Sequence, residues 1–247
     1  MTKFIKQKLA TDDTIAFDAR DIILRCTCDL ITNCVFASDA KAFESEKPEM
    51  LELCKTCVRG IMESVQSTRP KKMIPLEAEN EFIRITKEAI EHRIKSNTSR
   101  DDFLSLIISV KHRKGQNEIE AAAHAWTFFL DAFETSAIVA SHAFLEIAKD
   151  YRVQEKLRAE IVENLDEDGN LSYEKIESLE YLDQVFYEVL RLHPPFMFTT
   201  KVCSEKIEID GVKGHKFLMK KGSTVLISMY SVQRDPGKLE VESLSCE

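Results

Sequence analysis

Hydrophobic residues return every three or four positions along most of this chain. This spacing places them on one side of an α-helix, so the pattern predicts a largely helical protein. Ser99 is the expected N-cap of the fourth predicted helix, and residues 1–16 form a polar lead-in ahead of the first. The predicted helices span residues 18–36, 48–65, 77–95, 100–111, 118–150, 151–165 and 181–192.

The segment 118–150 gives the longest helical prediction. It contains neither glycine nor proline, and it opens with Glu118 and Glu120, where the helix dipole favours acidic side chains. At 1.5 Å per residue, the segment predicts a helix of roughly 45–50 Å. Its apolar residues go almost all the way around the helix axis, which is typical of a helix inside a large core.

The pattern changes at Pro194 and Pro195. Proline disfavours the α conformation of the residue before it, so the last predicted helix must end at His193. Beyond the prolines, apolar and polar residues alternate up to residue 210, and a second alternating run covers 224–229. The predicted fold class is therefore mainly α with a small β part.

Composition narrows the classes of function. Hydrophobic residues make up 44% and charged residues 31%, with 7 glycines and 6 prolines, which argues against disorder and against a turn-rich β fold. The net charge is -8 and no basic stripe is present, so no nucleic acid partner is expected. Seven cysteines follow a first segment without a signal-peptide core, which predicts reduced thiols. Charged residues interrupt the apolar runs, so no transmembrane segment is expected.

A pair of opposite charges distinguishes the helix predicted at 181–192. Glu188 and Arg191 stand three residues apart, so their side chains meet on one face. Alone, such a pair is usually a solvated surface pair worth roughly 0–1 kcal/mol. Here the stretch YLDQVFYEVLRLHPP, residues 181–195, resembles the Glu-x-x-Arg helix of the cytochromes P450. The resemblance implies that Glu188 and Arg191 join a downstream arginine in a buried structural network.

A second motif lies in the long predicted helix. The stretch DAFETS, residues 131–136, resembles the acid-and-alcohol motif that this family places beside its haem. The resemblance implies that Glu134 and Thr135 relay protons, with Ala132 at the haem face. It departs from the family in having Asp131 where a small residue is usual and alanine where glycine is common. The residues alone also allow an ordinary helix, in which the Thr135 hydroxyl bonds back to residue 131 and Glu134 reaches solvent.

The same resemblance assigns further residues. Lys201 corresponds to the basic residue that reaches a haem propionate. Residues 1–247 are interpreted as one incomplete domain of this family, in which the resemblance covers residues 17–236 and residues 237–247 form a divergent tail. The loop that carries the haem-ligating cysteine is not recognised, so no residue is assigned as a metal ligand. The residues expected to line the substrate are Phe129, Asp131, Phe133, Phe196 and Phe198.

The chain resembles cytochromes P450 of the microsomal, insect-like type, and this resemblance implies a function. It implies a haem-dependent monooxygenase that inserts one oxygen atom from O2 into an apolar substrate. The complete parent would receive electrons from NADPH-cytochrome reductase at the cytosolic face of the endoplasmic reticulum membrane. Two alternatives stay open: a non-catalytic truncated product without stable haem, and a helical zinc-binding module. In the second, the sulfurs would come from Cys26, Cys28, Cys54 and Cys57.

Overall fold

In a computed structural model, the chain forms two compact units. The first is Met1–Ser141 and the second is His142–Glu247, and each is described by itself. The residues that the structure describes are 1–12, 14–67, 69, 72–211, 214–235 and 237. The predicted divergent tail therefore lies outside the described residues, except for Gly237.

The first unit is built of helices. Those predicted between residues 18 and 111 are confirmed, with boundaries that shift by up to three residues. The polar lead-in contains a further helix, α1, which was not predicted and which buries no side chain. The helices are α1 (Thr2–Thr11), α2 (Ala19–Phe36), α3 (Glu49–Gln66), α4 (Leu76–Ser96), α5 (Phe103–Lys114) and the larger part of α6 (Glu118–Lys149).

Aspartate side chains fix the first turns of α2 and α5. Asp18 accepts the backbone N–H of Arg20 at 2.8 Å, and Asp102 accepts the backbone N–H of Ser105 at 3.0 Å. The prediction of Ser99 as the N-cap of α5 was wrong. The helix begins three residues later because Asp102 supplies the capping oxygen there.

Aromatic side chains fill the centre of the first unit. The ring of Phe129 on α6 lies 5.9 Å from the rings of Phe36 on α2, Phe82 on α4 and Phe133 one turn further on, measured between centroids. These four side chains are at most 3% exposed. Each buried ring contributes about 1.5–3 kcal/mol of hydrophobic stabilisation.

Burial of α6 within the first unit is one-sided. Phe129 and Phe133 are fully buried, whereas Ile119 is 62% and Phe128 is 36% exposed. The expectation of a helix enclosed all round therefore differs from the structure, because α2 and α4 pack against one face. Among the described residues, α6 is also the helix whose length and apolar composition would suffice to cross a membrane, a property that it shares with core helices.

The second unit combines short helices with two small antiparallel sheets. The structure confirms a mainly α fold with a small β part. The predicted helices 151–165 and 181–192 are confirmed. Three elements of four or five residues were not predicted, because they show too little periodicity: α8 (Tyr173–Glu177), β3 (Lys216–Met219) and α10 (Met229–Val232). In the sheets, β1 (Phe198–Val202) pairs with β4 (Thr224–Ser228), and β2 (Ile207–Asp210) pairs with β3 (Lys216–Met219). The helices are the end of α6, α7 (Tyr151–Glu163), α8 (Tyr173–Glu177), α9 (Glu180–Leu192) and α10 (Met229–Val232).

A buried ion pair joins α4 to the cap of α5 and makes stability depend on pH. Arg93 Nη2 donates to Asp102 Oδ2 at 2.6 Å, and the two side chains are 9% and 3% exposed. Burial raises the pKa of Asp102, but the hydrogen bonds from Arg93 and Ser105 outweigh burial and hold that pKa below its usual value. The ionised form therefore stabilises the fold above about pH 4, and this contribution is lost as the pH falls through the lowered pKa.

We expect Asp102→Asn to lower the free energy of unfolding at pH 7 by about 1.5–3 kcal/mol, since the amide keeps the cap but loses the charge. Its stability should also fall less steeply than that of the parent between pH 5 and pH 3, which are about the limits of carboxylate titration. Urea unfolding at each pH measures both effects. Asp101→Asn, at the exposed neighbouring position, is the control, and equal losses in the two variants would contradict the assignment.

Candidate active site

The predicted acid and alcohol lie side by side on α6. The Glu134 side chain is 19% exposed and forms a salt bridge with the guanidinium of Arg20 on α2. Asp18 caps the first turn of α2 and so fixes the backbone at Arg20. The Thr135 hydroxyl donates to the Asp131 carbonyl, one turn earlier. The structure thus places an acid held by a cation next to an alcohol held by its own helix.

Sequence reasoning missed Arg20. It lies 114 positions from Glu134, and no spacing rule relates residues so far apart. The ordinary-helix alternative included the bond from Thr135 to residue 131, which is present. It also placed Glu134 in solvent, whereas the structure places this carboxylate against Arg20.

Three of the residues predicted to line the substrate, Phe129, Asp131 and Phe133, lie on two different faces of α6. The helix stays α-helical across residues 131–136. Asp131 is exposed and lies one turn before the half-buried Thr135, so the two share the open side. The rings of Phe129 and Phe133 point the other way, into the aromatic core of the first unit.

The Glu-x-x-Arg motif forms a nearly buried ion pair on α9. Arg191 Nε and Nη2 donate to the two carboxylate oxygens of Glu188 at 2.7 and 2.6 Å, and the side chains are 16% and 15% exposed. Hydrogen bonding to Glu188 raises the pKa of Arg191 above its usual value, although burial opposes this. Arg191 also donates to the Gln233 carbonyl at 2.9 Å, and Arg234 donates to the Leu192 carbonyl at 2.6 Å. The pair therefore ties α9 to the chain after β4.

A carboxylate from α7 anchors the start of α9. The N-cap residue Leu179 has no side-chain oxygen, so the first N–H groups of α9 need another acceptor. Glu160 on α7 accepts the backbone N–H groups of Tyr181 and Leu182 at 2.8 and 2.9 Å. Sequence reasoning missed this contact, because it depends on how α7 and α9 pack.

The other end of α9 is tied to the end of α6 within the second unit. His193 Nε2 and Glu146 Oε1 lie 2.9 Å apart, and Lys149 Nζ donates to the same oxygen at 2.7 Å. The imidazole of His193 stacks on that of His142, with centroids 4.3 Å apart. Burial raises the pKa of Glu146, but the hydrogen bonds from Lys149 and His193 outweigh burial and keep it below its usual value. These contacts fix the chain immediately before Pro194.

A cavity of about 510 Å³ opens beside β1 in the second unit, and we call it the Lys201 cavity. It brings together Phe196, Phe198 and Lys201, three of the residues that the sequence predicted for cofactor or substrate. The buried Gln233 Oε1 has no hydrogen-bond partner among the described residues, and Gln233 also lines the cavity. The apolar wall residues are Leu190, Pro194, Pro195, Phe196, Phe198 and Met229.

Two of the described cysteines, Cys28 and Cys54, lie within hydrogen-bonding distance of each other. Cys28, Cys54 and Cys57 are fully buried in the core of the first unit, and burial raises the pKa of the Cys57 thiol. Within the described part of the chain, no group of three or more His, Cys, Asp or Glu side chains could hold a metal ion. The zinc-module alternative therefore gains no support there, and Cys246 lies outside the described residues.

Known proteins resemble this chain over nearly its whole length. The sequence profile of the family described as Cytochrome P450 matches residues 1–237. Probable cytochrome P450 28a5 of Drosophila melanogaster is 29% identical over 253 residues, which cover 95% of this chain and 50% of that protein. Probable cytochrome P450 309a1 of the same fly is 36% identical over 155 residues, which cover 62% of this chain and 30% of that protein.

A third relative agrees with these two. Probable cytochrome P450 6a18 of Drosophila melanogaster is 29% identical over 243 residues, covering 89% of this chain and 48% of that protein. The chain spans about half the length of the curated relatives that it matches over most of its own length. The profile match and the insect relatives show that the chain belongs to the cytochrome P450 family, whose cofactor is haem.

Proposed function

We propose that the chain forms part of a haem-dependent monooxygenase that inserts one oxygen atom from O2 into an apolar substrate. The observation that carries this proposal is the pair of Glu134 and Thr135 on α6. The acid is held by Arg20, and the alcohol is oriented by the carbonyl of Asp131. Proton relay requires an acid and an alcohol whose side chains are held in fixed orientations. The proposal concerns the complete protein, since the chain spans about half of its relatives.

The residues of the Lys201 cavity fit haem. Apolar walls suit a flat macrocycle, and an ammonium group suits a propionate. Lys201, which lines the cavity, would hold the propionate. Ala132, half-buried on α6, is proposed for the haem face because its small side chain permits close approach. Haem, when bound, supplies the activation of dioxygen.

The two side chains on α6 would have separate tasks in proton delivery. The Thr135 oxygen can accept a hydrogen bond while its own proton points to the Asp131 carbonyl. Glu134 can pass on a proton only after it leaves Arg20, whose guanidinium neutralises the carboxylate. Arg20 is therefore proposed as the positioning residue for the acid. Asp131 is exposed, so its charge stays solvated on the open side of α6.

The proposed substrate contacts differ in how accessible they are. Phe196 and Phe198 are 68% and 55% exposed and line the Lys201 cavity, which makes them available to an apolar molecule. Asp131 is proposed to lie near the substrate on the open side of α6. Phe129 and Phe133 could contact substrate only if the core side of α6 opened, since their rings are fully buried. Glu188 and Arg191 are proposed as a structural network and not as reacting groups.

We extend the proposal to the partners and location of the complete protein. A monooxygenase of this family needs an electron donor, for which we propose NADPH-cytochrome reductase. The proposed location is the cytosolic face of the endoplasmic reticulum membrane. Residues 17–236 are proposed to be part of one cytochrome P450 domain, with the profile match to residues 1–237 in support.

A non-catalytic product without stable haem is the second candidate. The positions of the described cysteines favour it for the chain by itself. The Cys203 thiol donates to the Glu205 carbonyl at 2.8 Å, and none of the described cysteines lines the Lys201 cavity. A haem-thiolate enzyme needs a cysteinate ligand, so the source of that ligand separates the two candidates.

A carbon monoxide assay of the longest product that the gene encodes distinguishes the monooxygenase from the non-catalytic product. We expect this product, reduced and exposed to carbon monoxide, to show the red-shifted absorption band of cysteinate-ligated haem. With NADPH and reductase it should oxidise an apolar probe such as 7-ethoxycoumarin. The 247-residue chain with added haem is the matched comparison and should lack the band. A folded full-length product that binds no haem would overturn the monooxygenase and leave the non-catalytic candidate.

A further inference from the structure

We infer that Cys28 on α2 and Cys54 on α3 are a redox pair, which hydrogen peroxide converts to a disulfide that links the two helices. Both cysteines are free thiols, and both are fully buried in the core of the first unit. The Cys54 thiol lies within hydrogen-bonding distance of the Cys28 sulfur. Two sulfur atoms on different helices therefore face each other without a bond between them.

The packing of α2 against α3 holds the two sulfur atoms in place. Lys55, the residue after Cys54, forms an ion pair with Asp21 on α2, with Nζ and Oδ1 3.4 Å apart. Asp21 stands seven positions before Cys28, so both lie on the side of α2 that meets α3. A disulfide bond of about 2.05 Å requires that the backbone already bring the two side chains together. The arrangement of α2 and α3 meets that requirement.

Three groups surround the Cys28 sulfur and favour its ionised form. The Cys54 thiol donates a hydrogen bond to it, the Thr32 hydroxyl donates another from one turn later on α2, and the Lys55 ammonium attracts its negative charge. The hydrogen bond from Cys54 has the largest influence. Together with the other two groups it holds the pKa of Cys28 below its usual value, although burial and Asp29 oppose this. The thiolate is the nucleophilic form of cysteine, so Cys28 is the member of the pair that attacks an oxidant first.

Cys54 is the member of the pair that reacts second. Burial raises its pKa well above the usual value, and the hydrogen bond to Cys28 raises it further. Cys54 therefore keeps its proton until Cys28 has reacted. Oxidation of Cys28 removes the negative charge beside Cys54, whose thiol then ionises more easily. Cys57, one turn further along α3 and equally buried, lies within hydrogen-bonding distance of the Trp126 indole instead.

The oxidation consumes one molecule of hydrogen peroxide and occurs in two steps. The Cys28 thiolate attacks one peroxide oxygen, the O–O bond breaks, and Cys28 becomes a sulfenic acid. The hydroxide that leaves takes up the proton that Cys28 had released, which gives the first water. Cys54 then attacks the Cys28 sulfur, the S–S bond forms as the S–O bond breaks, and the Cys54 proton leaves with the hydroxyl group as the second water. The two thiols lose two electrons, and the peroxide is reduced to water.

Full burial of the pair sets the rate at which the disulfide forms. Hydrogen peroxide reaches Cys28 only when α2 and α3 separate briefly, so oxidation is slow, and urea below the unfolding midpoint accelerates it. The closed bond constrains the loop between positions 28 and 54 in the unfolded chain. We therefore expect oxidation to raise the midpoint of urea unfolding by about 1 M. In a reducing compartment the bond forms during exposure to peroxide and is reversed by thiols.

Peptide mapping of the folded 247-residue chain tests the pair without haem or oxygenase activity. The chain is treated with a small excess of hydrogen peroxide, its remaining thiols are blocked with N-ethylmaleimide, and linked peptides are identified by mass spectrometry. We expect the Cys28–Cys54 pair to be at least about tenfold more abundant than any other. Treatment in concentrated urea is the control and should favour cysteines close in sequence, such as Cys54 and Cys57, because short loops close most readily. A folded chain that forms no disulfide, or that links Cys54 mainly to Cys57, overturns the inference.

Three variants assign the roles of the cysteines, with circular dichroism to confirm that each is folded. In Cys54→Ala the sulfenic acid has no thiol to react with, so dimedone should label Cys28. In Cys28→Ala the labelling of Cys54 should be at least about tenfold weaker, because its thiol stays protonated. Cys57→Ala, at an equally buried position, is the matched control and should form the disulfide at the rate of the parent chain. Equal labelling of the first two variants contradicts the role of Cys28, and loss of the disulfide in Cys57→Ala contradicts the pairing.

Discussion

Replacing Thr135 by alanine should separate electron consumption from product formation in the complete, haem-loaded protein. The variant keeps the fold, because the hydroxyl bonds only within α6 and alanine is the best helix former. It loses the oriented oxygen beside Glu134, so we expect product formed per NADPH consumed to fall about 10²-fold. The red-shifted carbon monoxide band should stay intact. Stoichiometric assays of NADPH, hydrogen peroxide and product measure the separation.

Two further variants show whether the effect belongs to the Thr135 hydroxyl. Thr135→Ser keeps an oxygen at this position and should recover most of the coupling. Ser136→Ala removes an exposed hydroxyl from the next position and should behave like the parent protein. If Thr135→Ala formed product as efficiently as Ser136→Ala, the proposed relay would be wrong.

Replacing Arg191 by alanine should cost about 3–5 kcal/mol of unfolding free energy, because it leaves a nearly buried carboxylate without its partner. Glu188 loses both hydrogen bonds, and the Gln233 carbonyl loses its side-chain donor. Arg191→Lys should recover only part of the loss, since an ammonium cannot supply the two parallel bonds of a guanidinium. Urea unfolding of the 247-residue chain measures the cost.

A surface pair provides the control for Arg191. Arg158 and Glu155 on α7 have the same three-residue spacing, but their side chains are 65% and 44% exposed. Arg158→Ala should therefore cost less than about 1 kcal/mol. Equal costs for the Arg191 and Arg158 variants would show that the α9 pair is an ordinary surface ion pair.

The sequence by itself determined the longer helices, α2 to α7 and α9, and the paired motif on α9. Periodic hydrophobic residues predict where a helix lies, and Pro194 stops α9 because proline excludes the preceding residue from the helix. Glu188 and Arg191 were predicted to meet because residues three apart share a face whatever surrounds the helix. The same local rules associated Thr135 with residue 131. Each of these predictions depends on geometry within a single helix.

Only the tertiary structure decided how the helices use their surfaces. Arg20 holds Glu134 across 114 positions, and Glu160 supplies the acceptor that Leu179 lacks at the start of α9. The side of α6 that is buried depends on where α2 and α4 pack, so an almost uniformly apolar helix gave no sign that Phe129 would be enclosed and Asp131 exposed. Contacts of this kind join elements distant in the chain, and their partners are selected by packing in three dimensions rather than by spacing along the sequence.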